Sequence, residues 1–314
     1  MKIQIITHAT EYEPKSFGMR WHRLPTLFER AGHKVDHILK QDWKYFYFRY
    51  LKFKPDVVIC AGTISILPVI LRRLHLIRVP VVFDWNDHWT DVMGRMRGID
   101  RVAFLEHYII KHSKHITTPG KFMQKKCEMY GQPAAYIPHG ASMNLNQKPV
   151  KLKGKVKVIY VGSQTKYKHV DKIIDAVRGL ECQLYMLGEI NKEMESKAPE
   201  NAHFLGMIRH AELPRYLMAA DILILAVEQD TALKMFEYIK AGKCILASKG
   251  RIGYFLDHNV NAYLAEDLSA GMEKLIKDKK LRDRLAKNVK KIKVFTWEEI
   301  AIKYLQYLED VTKR

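Results

Sequence analysis

Cysteine is scarce in this chain, and acidic residues are outnumbered. Four cysteines, Cys60, Cys127, Cys182 and Cys244, are scattered through 314 residues, and none forms a Cys-x-x-Cys pair. That spacing argues against a disulfide framework or a thiolate metal site and fits buried reduced thiols in a cytoplasmic protein. No stretch reaches the roughly 18 uninterrupted apolar residues of a membrane span. The nearest, Val57 to Leu71, is interrupted by Pro68. A secretory leader is not expected, because Met1-Lys2 runs straight into the strand-like Ile3-Gln4-Ile5-Ile6. An Asp-x-Asp pair, the usual carboxylate clamp for a metal-bound diphosphate, is also missing.

The acid deficit leaves a formal charge of +19. Residues 1–150 hold 23 Lys and Arg against 12 Asp and Glu, and residues 151–314 hold 30 against 22. Both halves are basic. A polyanionic partner follows: an anionic bilayer, a lipid-linked phosphate or nucleic acid.

With 47% hydrophobic residues over this length, the chain suits two domains with separate cores. Short apolar runs alternate with helical patterns. Ile3 to Thr7, Val35 to Leu39, Asp56 to Cys60, Val79 to Asp84, His115 to Thr118 and Ala135 to Ile137 read as strands of one parallel sheet. Lys155 to Val161, Gln183 to Leu187, His203 to Leu205, Asp221 to Ala226, Cys244 to Ser248 and Ala262 to Leu264 read as a second. Alternation of this kind implies two doubly wound α/β units. Asn144 to Lys155, with Pro149, Gly154 and several lysines, lacks hydrophobic periodicity and is the linker candidate.

One segment carries chemistry. After the apolar run Asp221 to Val227 come Glu228, Asp230, Thr231, Ala232 and Leu233, then Lys234-Met235-Phe236-Glu237-Tyr238 and Gly242. A strand feeding a short loop and a helix N-terminus is where an open α/β sheet holds an anion, because unpaired backbone N–H groups and the positive helix end converge there. Asp230 or Thr231 is the expected cap, and Gly242 the expected left-handed terminus. Lys234 and Glu237, three apart, form either a solvated ion pair or a ligand pair. In the second case the ammonium meets phosphate or sugar oxygens and the carboxylate two ribose hydroxyls. Gly162 and Gly206 each close an apolar run, where a missing side chain lets backbone approach a ligand.

Lys234 to Tyr238 followed by Ala241-Gly242-Lys243-Cys244-Ile245-Leu246-Ala247-Ser248 resembles the donor-binding segment of GT-B glycosyltransferases, specifically the retaining glycosyltransferase family 4. Other stations of that family appear in order: Ser16-Phe17-Gly18-Met19-Arg20, Arg30 to Val35, Ile137 to Ser142, Tyr160 to Ser163, Phe204 to Gly206 and Glu212 to Asp221. The resemblance spans nearly the whole chain. It implies two Rossmann-like domains facing a central cleft, residues 1–147 on the acceptor side and 148–296 binding a nucleotide sugar, with a helix over 297–314 crossing back to the first domain.

The site residues follow from the same resemblance. Lys168, with Lys166, would neutralise the diphosphate of a UDP- or GDP-sugar, Ser163 standing where the family usually has arginine. Glu237 would hold the ribose, and the backbone of Met207 and Ile208 the base. Thr231, Ala232 and Leu233 would meet the phosphates. Glu228 and Glu237 are nine apart, where the family's paired glutamates lie eight apart. On the acceptor side the resemblance points to Gly18, Asn86, Asp87 and His88, Asp87 acting in catalysis. No cofactor is implied beyond the donor, and transfer would proceed with retention and without metal. The acceptor would be a glycan, a lipid-linked sugar or another polyanion.

Asp42 to Lys54 is expected to be helical. At 100 degrees per residue Trp43, Phe46, Tyr47, Tyr50, Leu51 and Phe53 form a core face, and Lys44, Tyr45, Phe48, Arg49 and Lys52 a cationic aromatic face. The second face suits an anionic membrane interface or stacked bases, and Arg72, Arg73 and Arg78 extend it. Three functions are compatible with these features. They are a peripheral cytoplasmic glycosyltransferase, a nucleic-acid (DNA base) glycosyltransferase, and a GT-B-like binding protein without turnover.

Overall fold

The structure, a computed structural model, describes residues 1–8, 19–89, 99–165, 168–227 and 229–313. Its strands are β1 (Lys2–Thr7), β2 (Lys34–Ile38), β3 (Val57–Ala61), β4 (Val81–Asp84), β5 (His115–Thr118) and β6 (Ala134–Tyr136), then β7 (Lys157–Val161), β8 (Gln183–Leu187), β9 (Ala202–Gly206), β10 (Ile222–Leu225), β11 (Cys244–Ser248) and β12 (Tyr263–Ala265). They form two six-stranded sheets, ordered β2-β1-β3-β4-β5-β6 and β12-β11-β10-β7-β8-β9. Every pairing between these strands is parallel. Central strands such as β3 are buried along their whole length, the continuous apolar pattern of a sheet covered on both faces.

The chain divides into one unit of Met1–Gly140 with Phe295–Arg314 and a second of Ala141–Val294. In the second unit apolar clusters line both faces of the sheet, one around Val158, Leu184 and Ile224, the other around Ile159, Leu223 and Tyr238. The segment Asn144 to Lys155, expected as a linker, is tied to this unit instead. Val150 N–H donates to Arg215 O at 3.2 Å, Gln147 Nε2 to Ala211 O at 2.9 Å, and Tyr185 Oη to Lys153 O at 3.0 Å. Backbone partners replace the hydrophobic periodicity it lacks.

The helix Trp297–Thr312 belongs to the first unit. It starts with a capping box, Thr296 Oγ1 accepting from Glu299 N–H while the Glu299 carboxylate accepts from Thr296 N–H. Trp297, Ile300, Tyr304, Leu305, Leu308 and Val311 are buried, each side chain contributing roughly 1.5–3 kcal/mol through its removal from water. Tyr304 packs against Trp21 and Phe28 of the helix Met19–Arg30 at ring distances of 5.9 and 5.8 Å. All four cysteines are free and buried, and burial pushes the thiols of Cys60, Cys127 and Cys244 up to about 12 and that of Cys182 to about 11.

The expected single helix over Asp42 to Lys54 is two elements, a 3-10 stretch Lys40–Tyr45 and a helix Phe46–Phe53. The tighter 3-10 winding breaks the 100-degree phase. Of the expected core face only Phe46 is fully buried, whereas Trp43 and Leu51 are exposed. Tyr45 and Phe48 are exposed as expected, Phe48 to 68%. Lys44 stacks on the Tyr45 ring at 5.0 Å, and Arg49 is paired with Asp36 on β2. Among the described residues no helix is long and apolar enough to cross a membrane.

Candidate functional site

In the second sheet the chain moves outward from β7 through β8 to β9, then returns to the other side of β7 with β10. The β7/β10 boundary is therefore the topological switch point, beyond whose carboxyl ends open α/β sheets bind ligands. Two segments flank it, residues 162–165 and 168–169 after β7 and residues 226–227 and 229–232 after β10.

The helix after β10 is Leu233–Ala241, with Ala232 at its N-cap and no side-chain cap. This corrects the expectation of an Asp230 or Thr231 cap. Asp230 is buried, Thr231 and Ala232 are half-buried, and the positive end of the helix lies at the switch point. Gly242 terminates the helix at φ 66°, as expected.

Glu237 is 3% exposed. Its Oε2 lies 3.2 Å from Lys234 Nζ and its Oε1 3.0 Å from His210 Nε2. Burial alone would raise its pKa, but the hydrogen bond from His210 and the charge and hydrogen bond of Lys234 outweigh that and hold the carboxyl below its ordinary value. The i,i+3 ion pair weighed from spacing is present, yet nearly buried, and it is extended by a histidine that sequence reasoning missed. His210 stands four residues beyond Gly206 in an irregular loop, where no periodicity marks it. In that loop Met207 is exposed and Ile208 packs against the core.

The β7 loop is held from three sides. Val161 N–H donates to Tyr238 Oη at 2.9 Å, linking the strand end to the Leu233–Ala241 helix. Tyr160 Oη donates to Ser163 O at 2.9 Å. The Gln164 carbonyl accepts from Asn191 Nδ2, and the Gln164 side-chain oxygen from Asn191 N–H, both at 3.0 Å. Gly162 has φ 153°, and a Cβ built on Gly188, at φ 143°, would stand 2.0 Å from Gly162 O. Gly188 follows β8 as Gly162 follows β7, a signal the sequence offered. Ser163 is exposed and Lys168 half-buried in this loop. Gly18, Lys166 and Glu228 lie outside the described residues.

In the first unit Asp84 ends β4 and is fully buried. Arg20 grips it with two bonds of 3.0 and 3.1 Å, Thr117 Oγ1 donates to it at 2.6 Å, and Arg20 also reaches Pro138 O at 3.1 Å. Beyond it, Trp85 Nε1 and Trp89 N–H donate to Glu106 at 2.9 and 2.8 Å, fixing the turn that carries Asn86, Asp87 and His88. Asn86 is buried with its Oδ1 making no hydrogen bond among the described residues. Asp87 is half-buried. His88, expected to reach for a sugar hydroxyl, is buried between Trp85 and Phe122 at ring distances of 5.5 and 5.8 Å, its Nε2 against Lys126 Nζ. That is the environment of a packed side chain. Among the described residues no group of three His, Cys, Asp or Glu side chains could hold a metal ion.

These two parallel sheets define a two-unit α/β fold of the GT-B kind. Residues 143–292, which span the switch-point site, match the family "Glycosyl transferases group 1". The structure of Anabaena Alr3699/HepE in complex with UDP-glucose superposes with a TM-score of 0.75 at 14% identity, over 98% of this chain and 99% of that one. S. aureus TarM, in complex with Fondaparinux, alpha-GlcNAc-glycerol and UDP, gives 0.63 at 16% identity, over 83% of this chain and 58% of that one. The UDP-GlcNAc 2-epimerase of Methanocaldococcus jannaschii gives 0.61 at 12% identity, over 98% and 100%. No curated protein sequence matches the chain. At such identities the likeness is one of fold.

Proposed function

We propose that this protein is a glycosyltransferase of the family 4 type, moving a sugar from a nucleoside-diphosphate sugar to an acceptor hydroxyl with retention and without metal. The carrying observation is the Lys234–Glu237–His210 cluster beside an uncapped helix end at the switch point. Glu237 receives the ribose hydroxyls, Lys234 and Lys168 the diphosphate, and the N–H groups after Ala232 its oxygens. Backbone at Met207 and Ile208 faces the base. Because the structural neighbours hold UDP or UDP-glucose, a UDP-sugar is the first donor to test, with GDP-sugars next.

In the reaction the bond from the anomeric carbon to the diphosphate breaks, and the acceptor oxygen bonds to the same face of that carbon. The acceptor proton passes to a phosphate oxygen of the leaving group. Lys168 and the helix end stabilise the departing charge. The acceptor falls to the first unit, where Asn86 offers a buried oxygen for a sugar hydroxyl and Asp87 lies beside it. Exposed Lys44, Tyr45, Phe48 and Lys52 favour a lipid-linked or otherwise polyanionic acceptor at the inner membrane face.

Donor binding followed calorimetrically, with release of nucleoside diphosphate measured in EDTA, tests this reading. Donor-dependent release that survives chelation supports it. Recovery only with Mg²⁺ or Mn²⁺ would overturn the metal-free part. Tight donor binding with no release for any acceptor would leave a binding protein. Conversion of the donor to its epimer without an acceptor would replace transfer by epimerisation, a chemistry found on the same fold. Release dependent on DNA would move the acceptor to nucleic acid.

A further inference from the structure

The first unit holds a cavity at the amino-terminal end of its sheet. Pro80 and Val81 at the start of β4 and Ser113 to His115 at the start of β5 line a cavity of about 500 Å³, within the ~300–1,000 Å³ typical of ligand pockets. These are the amino ends of the strands, whereas Asn86 and His88 lie beyond the carboxyl end of β4. Arg72, Arg73, Arg78 and Lys114 line the cavity together with His75 and His112, and no carboxylate is among the lining residues. None of the four permanent cations makes an ion pair among the described residues.

Two helices, Ile66–Arg73 and Ile99–His112, end at this cavity. Their carboxyl ends supply the equivalent of about half a negative charge each. Four fixed cations exceed that by roughly three charges, so dipole complementation does not account for the cluster. The excess is also felt by His112, whose pKa is lowered by burial and then by Arg73, Lys111 and His107.

The surroundings are apolar and exposed. His75 takes a left-handed conformation, φ 59°, which turns the chain so that Leu74 and Leu76 face solvent while Ile77 is buried. Arg73 donates to Tyr108 Oη at 2.8 Å and lies 5.7 Å over its ring, and Tyr108 in turn packs 6.3 Å from Phe104, which is 69% exposed. Arg78 N–H donates to Tyr50 Oη at 3.2 Å, joining the cavity rim to the Phe46–Phe53 helix that carries Phe48 and Leu51. A soluble anion gives no reason for exposed leucine and phenylalanine around its pocket, whereas a headgroup at a bilayer surface does.

We propose that this cavity takes the phosphate of an anionic membrane lipid, with Leu74, Leu76 and Phe104 entering the interface around it. Arginine forks suit phosphate oxygens through paired hydrogen bonds. The assignment deepens the membrane-surface part of the reading above and is independent of sugar transfer.

Flotation of the full chain with phosphatidylcholine vesicles, with and without phosphatidylglycerol, tests it. Binding should require phosphatidylglycerol and fall by roughly thirtyfold in Arg73→Gln/Arg78→Gln, the loss of two cations at an anionic surface. Lys153→Gln/Lys155→Gln on the second unit removes equal charge without touching the cavity lining and should change binding by less than about twofold. Leu74→Ser/Leu76→Ser should weaken vesicle binding while leaving binding of soluble glycerol phosphate unchanged. If the double arginine variant loses its thermal transition, Arg78→Gln alone serves, since that side chain has no partner among the described residues.

Equal losses in the pocket and second-unit variants would overturn the proposal in favour of diffuse charge. So would tight binding of glycerol phosphate with vesicles ignored, or displacement from vesicles by single-stranded DNA at physiological salt. Vesicle binding lost in Tyr45→Ser/Phe48→Ser but kept in Arg73→Gln/Arg78→Gln would leave the aromatic face as the docking element and remove the pocket. Sugar transfer to a soluble acceptor, measured alongside, separates failure here from failure of the transferase reading.

Discussion

His210 Nε2 stands 3.0 Å from Glu237 Oε1, and this contact ties the loop after β9 to the helix after β10. With Lys234 on the other oxygen, the carboxylate is held ionised and in one orientation before any ligand arrives. Pre-organisation of this kind lowers the ordering cost of binding. Glu237→Gln should keep the fold but cost roughly 2–4 kcal/mol of transition-state stabilisation, because the neutral amide cannot accept from two donors and pair with Lys234. His210→Ala should weaken donor binding less, about tenfold, by loosening the carboxylate. Titration calorimetry with nucleoside diphosphate and initial rates of transfer check both. Normal donor affinity in Glu237→Gln would remove the ribose assignment.

Lys168 lies on the other side of the switch point, in the segment after β7. Replacing it with alanine should lower kcat by about 10²–10³, since the charge proposed to meet it, that of the departing diphosphate, develops fully only as the sugar bond breaks. Lys168→Arg should recover part of the rate. A variant of Lys168 with unchanged kcat would shift the leaving-group role elsewhere.

Gly188 gives a test that does not depend on side-chain chemistry. Its missing Cβ leaves room for Gly162 O at a distance no side chain permits, and its φ of 143° is costly for any L-residue. Gly188→Ala must displace the turn after β7, so donor affinity should fall and the fold should lose on the order of 1–3 kcal/mol. Urea unfolding and donor titration on the same sample measure both effects. An alanine variant with wild-type values of each would show that this close approach carries neither.

The fold was readable because a parallel strand buried on both faces is a run of apolar residues bounded by turns. Runs such as Val57 to Cys60 and Ile222 to Leu225 have no competing reading as exposed helix, and the expected strands match observed ones with ends shifted by a few residues at most. Site features set by pairing across distant loops were not readable. Nothing near His210 announces Glu237, 27 residues away, and Arg20 meets Asp84 across 64 residues. The cap at Ala232 was missed for a different reason. Asp230 and Thr231 have the right chemistry, but the backbone enters the helix one residue later. In the stretch from Lys40, a 3-10 turn reset the phase, so periodicity carried past it placed Trp43 and Leu51 on the wrong face.

Acid should destabilise this protein in a window set by two histidines. His37 on β2 is lowered from 6.5 to about 4, by burial first and then by the nearby His22, with Asp36 opposing and Arg49 adding a smaller push. Burial, and then Arg20, lowers His139 from 6.5 to about 3. Both are neutral in the folded protein at pH 6, while in the unfolded chain each takes up a proton as the pH falls through 6.5. The unfolded state then binds more protons, so stability rises with pH across the window. It is fully present above about 6.5 and is lost progressively toward about 4 for His37 and about 3 for His139. Glu237 acts in the same direction but lower, since its depressed carboxyl loses its contribution only as the pH falls below the ordinary carboxylate range. For His37 the span corresponds to roughly 3 kcal/mol at most. Urea unfolding midpoints measured from pH 7 down to pH 4 should therefore fall, and His37→Asn should flatten the slope between pH 6.5 and 4 while keeping a neutral side chain beside Thr7 Oγ1, which His37 Nε2 meets at 3.0 Å. A slope unchanged in that variant would mean that His37 takes up its proton without cost to the fold.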